Sequence, residues 1–411
     1  MCASDEVSLN NRKSARHTFQ REQLVHLHQF FNSLPKLPSH YGRINTSKLF
    51  LEQNIDSLTQ LYNLYCEKIQ NYNGKPVSRI KFSSVFHELN LSLYTLQKDQ
   101  CDVCAKHEVG NISEEDWIQH QNRKDRARKE KEDDKEISAQ QQYSVLIMDL
   151  QAVKVAPCIQ ASAFYYKTKL TCHNFTVYNI TSNHYTCYWF SEVDTDLSAS
   201  TFAILIIDYL KCHCANEKQM IIYSDGCNYQ NRNFILGNAL LDHAIKSGQT
   251  IIQKFLERSH TQMECDSVHS TIERKLKKRP IHLPSNYVTI TKQARKKPFP
   301  YEAKWMDFDA FTDYSAKSLQ RLHSLRPEQR KVTDIRCLRY SPDGCIEFKI
   351  NFHEDLQVLP QRCKVITSPV QWPSMHTEPR KISSQKYSHL QQLKPVLPRD
   401  YHAFYDSLPH E

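Results

Sequence analysis

Residues 219–233 read QMIIYSDGCNYQNRN, and this stretch decides the fold. The apolar run QMIIYS is short and ends at turn formers, which predicts a buried strand rather than a helix. Asp225 and Gly226 follow it, the glycine permitting a tight turn after the acid. The amides and Arg232 beyond them read as the start of a helix over 234–245. Working back, YSVLIMD at 143–149 repeats the pattern of a buried strand that ends in a carboxylate. Between the two runs, NFTVYNI (174–180) and YTCYWF (185–190) are β-rich and flank the turn-forming Thr-Ser-Asn-His. Residues 195–210 have helical periodicity. Ile251–Leu256 reads as a strand and Asp266–Lys278 as a helix. The order β-β-β-α-β-α-β-α predicts an α/β core over residues 141–300, a mixed five-stranded sheet with flanking helices.

Outward from that core, residues 1–15 are polar and tail-like, and 17–96 have apolar residues at spacings of three and four. They predict an N-terminal helical region over 1–98. Residues 99–140 carry Cys101-x-x-Cys104 and a charged stretch in which 13 of the 14 residues from Arg123 to Glu136 are charged. With seven basic and six acidic residues, that stretch reads as a solvated helix. In residues 301–411, Ser-Pro-Asp-Gly between Asp334–Tyr340 and Cys345–Phe352 signals a hairpin. The rest is proline-rich, so a small β-containing C-terminal region and a tail are expected.

Composition narrows the function classes. The 411 residues, 40% hydrophobic, allow a substantial core. The chain has only seven glycines, from which no G-x-G-x-x-G and no P-loop can be assembled, so no nucleotide cofactor is expected. No apolar run is long enough to span a bilayer, and the start has no apolar core of the signal-peptide kind. No membrane partner and an intracellular protein are the expectation. The 14 cysteines then read as reduced thiols or metal ligands. The net charge of +9 is localised, because nine Lys/Arg and no Asp or Glu lie from Arg274 to Lys297. A basic patch this compact suggests a polyanion partner, with Lys275, Lys277, Lys278 and Arg279 as backbone contacts.

Four acids occupy related points of the expected fold. Asp149 ends the first strand and Asp225 follows the fourth, while Asp266 and Glu273 lie on the helix after the fifth. Carboxylates at neighbouring strand ends can converge at one sheet edge, and hard oxygen ligands suit Mg²⁺ or Mn²⁺. Asp266 is preferred over Glu273 because it is nearer the strand end and clear of adjacent basic residues. An Asp after a strand is also a common cap or turn residue; the joint placement is the more specific signal. Gln230, Asn231 and Arg232 could hold a phosphate or orient Asp225, or simply form a polar helix start. His260 and His269 could hold a phosphate or tune a carboxylate.

Cys101 and Cys104 form half of a structural Zn²⁺ site. His107 or the more distant His120 would be a third ligand, and the fourth must come from elsewhere. Cys212-His213-Cys214 is too tight to supply three ligands, though one is possible. Nothing of the G-x-S-x-G or H-E-x-x-H kind supports nucleophilic or zincin chemistry.

The strings LIMDLQAV (146–153), IIYSDGCNYQNRN (221–233) and HTQMECDSVHSTIER (260–274) resemble a large group of transposon-derived proteins of insects and other animals. LPSHYGRINTSKLFLEQNI (37–55), KDQCDVC (98–104) and YHAFYDSL (401–408) resemble the same group, and the whole is similar to the Sola-type superfamily. The resemblance implies a ribonuclease H-like core with a DDE/DDD site, as in transposases and integrases. It implies Mg²⁺-dependent hydrolysis of a DNA phosphodiester and then strand transfer. It further implies DNA as partner, a homo-oligomer assembled on DNA, and nuclear localisation. The alternative is a domesticated, catalytically inactive copy that binds DNA or protein.

Overall fold

The structure, a computed structural model, describes residues 21–34, 36–37, 49–51, 57–72, 74–93, 101–141, 143–161, 167–257, 260–261, 263–277, 279–322, 324–327, 330–360, 368 and 370–411. The polar tail over 1–15, most of the 37–55 string and Lys278 lie outside them. The chain divides between Gln100 and Cys101 into two compact units.

In the first unit, residues 21–33 form α1. They are followed by β1 (Lys36–Leu37), β2 (Leu49–Leu51), α2 (Leu58–Asn71), α3 (Arg79–Glu88) and β3 (Leu91–Leu93). The three short strands make a sheet in the order β1-β2-β3. Ser57 and Ser78 cap α2 and α3 by accepting from the amides of Gln60 and Lys81. Leu61, Tyr65 and Ile69 recur at spacings of four on α2. They pack with Phe30, Phe31 and Phe82 in an aromatic-rich core. This is the amphipathic pattern read from the sequence.

The second unit runs α4 (Asp102–Glu108), α5 (Glu114–Gln141), β4 (Ser144–Leu150), β5 (Lys154–Ala156), β6 (Leu170–Asn179), β7 (His184–Ser191) and α6 (Ala199–His213). It continues with β8 (Gln219–Ser224), α7 (Phe234–Ser247), β9 (Thr250–Phe255), α8 (Cys265–Leu276), α9 (Asn286–Ala294) and β10 (Glu302–Trp305). Last come β11 (Cys337–Tyr340), β12 (Ile346–Lys349), β13 (Gln357–Val358), α10 (Ser384–Leu393) and α11 (His402–Asp406). The expected strands and helices of the core are all present, within a few residues at their ends.

Instead of the expected five strands, the described residues form one ten-stranded mixed sheet in the order β10-β7-β6-β4-β8-β9-β11-β12-β13, with β5 paired to β6. β4, β8 and β9 are parallel neighbours joined through helices, whereas β6 is antiparallel to both β4 and β7. The expected C-terminal hairpin is β11–β12, and it continues this sheet through antiparallel pairing of β11 with β9. β10 adds at the other end, parallel to β7. Glu302–Trp305, four residues long, is too short to announce itself as a strand in the sequence.

Alternation along β4 sorts the two layers. Leu146 and Met148 face α6 and α7 in the main core, while Val145 and Ile147 face the side that carries Cys265 of α8. Trp189 is fully buried on the latter side. It stacks on Tyr287 of α9 at 4.7 Å and donates its indole N–H to Thr291 at 3.0 Å.

The charged stretch is helical, but it is not solvated all round. On α5, His120, Lys124, Ala127, Lys131, Asp134 and Ser138 are buried, at spacings of three and four. The charges on this face are matched from the rest of the unit. Lys254 of β9 reaches Glu130 at 2.7 Å and Asp134 at 2.6 Å, and Lys131 pairs with Glu264 at 3.1 Å. Tyr223 also donates to Asp134 at 2.5 Å. Burial alone would lower the Lys254 ammonium, but Asp134 and Glu130 outweigh it and raise it. Composition cannot reveal such pairing, because the partners lie about 120 residues away in sequence.

Candidate functional site

Asp149 and Asp225 are brought level by the register of two parallel strands. Ile147 pairs with Tyr223, an offset of 76 residues, which is also the spacing from Asp149 to Asp225. Asp225 sits just beyond β8, where the strand hands over to the turn before α7. Asp266, in the first turn of α8, approaches from the covering layer. Ligand atoms of Asp149, Asp266 and His269 lie within 4.8 Å of one another, and Asp225, expected to share an ion with Asp149, is not a member of that group. Burial, and then the Asp225 and Asp266 carboxylates, push Asp149 up to about 7. A site with this much uncompensated negative charge favours a cation.

Neighbouring groups fix these acids. Asp225 accepts from the Cys227 amide at 3.1 Å and from the Asn231 side chain at 2.6 Å. The His269 imidazole has Nε2 3.0 Å from Thr176 and Nδ1 3.9 Å from Asp149. Burial pushes this histidine down to about 4, so it stands neutral beside the carboxylate. Glu273, by contrast, is engaged elsewhere: Lys154 lies 2.5 Å from it, and Gln151 donates to it at 2.7 Å. Asp266, rather than Glu273, therefore shares the cluster with Asp149.

The QNRN segment divides its roles. Asn231 orients Asp225, whereas Gln230 is buried and donates to the Tyr229 hydroxyl at 2.8 Å. Arg232 turns inward: it donates to the Thr333 carbonyl at 2.5 Å and lies over the Phe255 ring at 4.4 Å. Burial pushes its guanidinium down to about 10. Gly226 is needed for this arrangement rather than for the backbone freedom expected of it. A Cβ there would lie 2.7 Å from an Arg232 nitrogen.

The second candidate centre combines four residues of the expected zinc region and beyond. Cys101 caps the start of α4 by accepting from the Cys104 amide at 3.3 Å, so both sulfurs point to one side. His120 of α5 places Nε2 3.2 Å from the Cys101 sulfur and 3.6 Å from that of Cys104. His260, from the segment before α8, is the fourth member, 3.3 Å from Cys101 and 3.6 Å from Cys104. All four ligand atoms lie within 4.8 Å of one another. These separations suit a tetrahedral ion with bonds of about 2.0–2.3 Å. Glu257 faces the other nitrogen of His120 at 4.0 Å, the outer-shell carboxylate that such a ligand commonly has. His107 stands apart, stacked on Trp117 at 4.1 Å and 3.1 Å from Glu114. No sequence spacing identifies His260 as the fourth member, because the fold supplies it from 140 residues beyond His120.

In the basic segment, Lys277, Arg279, Lys292, Lys296 and Lys297 are exposed, and Lys275 is half-buried. Arg279 donates to Gln293 at 3.3 Å. Arg295 is different. It lies over Tyr301 at 4.4 Å and Tyr185 at 4.5 Å, and so packs the layer instead of facing solvent. Among the described residues, no helix is long and apolar enough to cross a membrane.

A family profile described as a domain of unknown function (DUF8701) matches residues 134–304, which take in Asp149, Asp225, Asp266 and His260. No curated protein and no solved structure matches the chain.

Proposed function

We propose that the chain is a transposase-like DNA-binding protein of the DDE/DDD type, with a ribonuclease H-like core and a site of three aspartates. The observation that carries this reading is that the β4–β8 register, which pairs Ile147 with Tyr223, puts Asp149 and Asp225 at matching positions near the ends of adjacent parallel strands, with Asp266 beside Asp149. Acids after the first and fourth of the five central strands and on the last helix are the arrangement that the sequence resemblance calls for. Asp149, Asp225 and Asp266 would hold Mg²⁺ or Mn²⁺, whose charge would activate a water or a 3′-hydroxyl and stabilise the leaving oxygen of a DNA phosphodiester. Asn231 holds Asp225 in place, His269 holds the position beside Asp149, and the exposed lysines and arginines of 274–297 would bind the DNA backbone. The four-residue Cys/His cluster suits a structural Zn²⁺ that would tie α4 and α5 to the segment leading into α8. Action on DNA implies a nuclear protein, assembled as a homo-oligomer on its substrate.

The experiment is cleavage and plasmid integration of labelled DNA with and without Mg²⁺. Metal-dependent nicking that Asp149→Asn removes supports the enzyme. Cleavage without integration would make it a nuclease. DNA binding without either activity would leave the domesticated, inactive module, whose observation in favour would be that basic segment alone.

A further inference from the structure

A third cluster lies on the other face of the sheet. His184 begins β7, His213 ends α6 and Glu302 begins β10, and their ligand atoms all lie within 4.8 Å. Thr186 is paired with Glu302, so these residues belong to the α6 side, whereas Asp149 and His269 belong to the α8 side. From the geometry we propose that His184, His213 and Glu302 form a binding site for a divalent transition ion of the Zn²⁺ class, at the wall of an open cleft.

Three observations support this assignment. The distances are those of groups sharing an ion: Glu302 Oε2 is 3.1 Å from His184 Nε2 and 3.4 Å from His213 Nε2. Ligands at about 2.1 Å around a tetrahedral centre are about 3.4 Å apart. Next, His213 Nε2 is buried and, among the described residues, has no hydrogen-bond partner, despite the nearby carboxylate oxygen. Finally, both histidines line a cleft of about 590 Å³ whose other walls include Asn179, Tyr209 and Glu217. Three protein ligands with a fourth position open to a cleft is the pattern of ions that keep a water or a ligand.

The surroundings are compatible with an ion. The other nitrogen of His184 is 3.4 Å from the Tyr209 hydroxyl. Among the described residues, Lys304 is a cation close by. It lies 3.7 Å from the second oxygen of Glu302 and 3.1 Å from Asp208, so its charge is matched, while Glu302 Oε2 faces the two histidines and also accepts from the Thr186 hydroxyl at 3.4 Å. Two imidazoles and one carboxylate prefer Zn²⁺, Co²⁺ or Ni²⁺ to Mg²⁺.

The test uses the full chain carrying Asp149→Asn, with the Cys/His centre already loaded with zinc, titrated with Co²⁺. One further equivalent should bind, with the visible bands of a nitrogen–oxygen site and without the charge-transfer absorption of thiolates. Adding His213→Gln or Glu302→Gln should remove that equivalent or weaken it at least tenfold. Circular dichroism would show that these near-isosteric variants remain folded. Uptake of no further equivalent, or uptake unchanged in both variants, overturns the site and leaves a histidine–carboxylate ion pair. The inference does not depend on the aspartate cluster, which Asp149→Asn removes from the experiment.

Discussion

His260 Nε2 lies 3.0 Å from His120 Nε2, although 140 residues separate them in the chain. Two neutral imidazoles in such contact beside two cysteine sulfurs make sense as ligands of one ion. A thiolate-bound metal would be read by loading the site with Co²⁺, whose sulfur charge-transfer band reports the cysteines. Cys101→Ser should at least halve that band, since only the Cys104 sulfur would remain, and His260→Ala should weaken metal retention at least tenfold. His107→Ala should leave both unchanged, because His107 is stacked on Trp117 away from the cluster. A His107 variant that loses metal while His260→Ala retains it would reverse the assignment.

How far this was legible follows from what kind of signal each residue emits. The apolar runs of β4, β8 and β9 are local signals, and the sequence places all three with the two aspartates at their ends. That Asp149 and Asp225 are level needs only parallel pairing, which the alternation of strands and helices predicts. His260 emits no local signal, because its partners come from helices far upstream. The buried face of α5 is hidden in the same way: a run of 13 charges in 14 residues reads as solvated until Lys254 and Glu264 supply partners. Arg232 was legible as polar but not as inward-facing, since its acceptor is the Thr333 carbonyl, 101 residues on.

The third acid can be decided by substitution. Asp266→Asn should lower metal-dependent cleavage by at least about 10²-fold, the scale of losing a group that stabilises developing charge. Glu273→Gln should retain most of the activity, because Glu273 is paired with Lys154 and Gln151. It should instead lower the melting temperature slightly, by breaking the Lys154 pair. Equal inactivation by both variants in single-turnover cleavage would count against Asp266 as the sole third ligand.

Asp149 makes stability depend on pH in the direction opposite to most carboxylates. Its folded value is about 7, whereas an unfolded Asp titrates near about 3.9. Between those values the folded protein keeps a proton that the unfolded chain releases, so stability falls as pH rises from about 4 to about 7. At about 1.4 kcal/mol per unit the ceiling is about 4 kcal/mol. In metal-free protein, Asp149→Asn should match wild type at pH 4 and melt several degrees higher at pH 8. Adding Mg²⁺ should narrow that gap by stabilising wild type alone. A gap independent of pH would show that the carboxyl is not held protonated.

Lys254 is the keystone of the buried face of α5. Lys254→Ala strands Glu130 and Asp134 without their cation, and should cost about 3–5 kcal/mol in urea unfolding. Combining it with Glu130→Gln and Asp134→Asn should recover most of that loss, since the uncompensated charge is then gone. A triple variant as unstable as the single one would mean that Lys254 acts through packing of its stem.

DNA binding through the basic segment has a salt signature. Lys277 and Arg279 are exposed at the end of α8, Lys275 is half-buried there, and α8 also carries Asp266. Phosphates bound by these residues would lie about one length of α8, about 16 Å, from Asp266. Each backbone contact releases counterions and contributes about 0.9 to the slope of log affinity against log salt. Replacing Lys275, Lys277 and Arg279 by Gln should flatten the slope by up to about 2.7. Affinity for all duplex sequences should fall together, because phosphates carry no base information. Arg295→Gln makes the contrast: its guanidinium is packed among Tyr185, Phe299 and Tyr301, so it should change stability and leave the slope alone. A slope unchanged by the triple variant would assign DNA contact to another surface and leave residues 274–297 as a basic connection between α8 and β10.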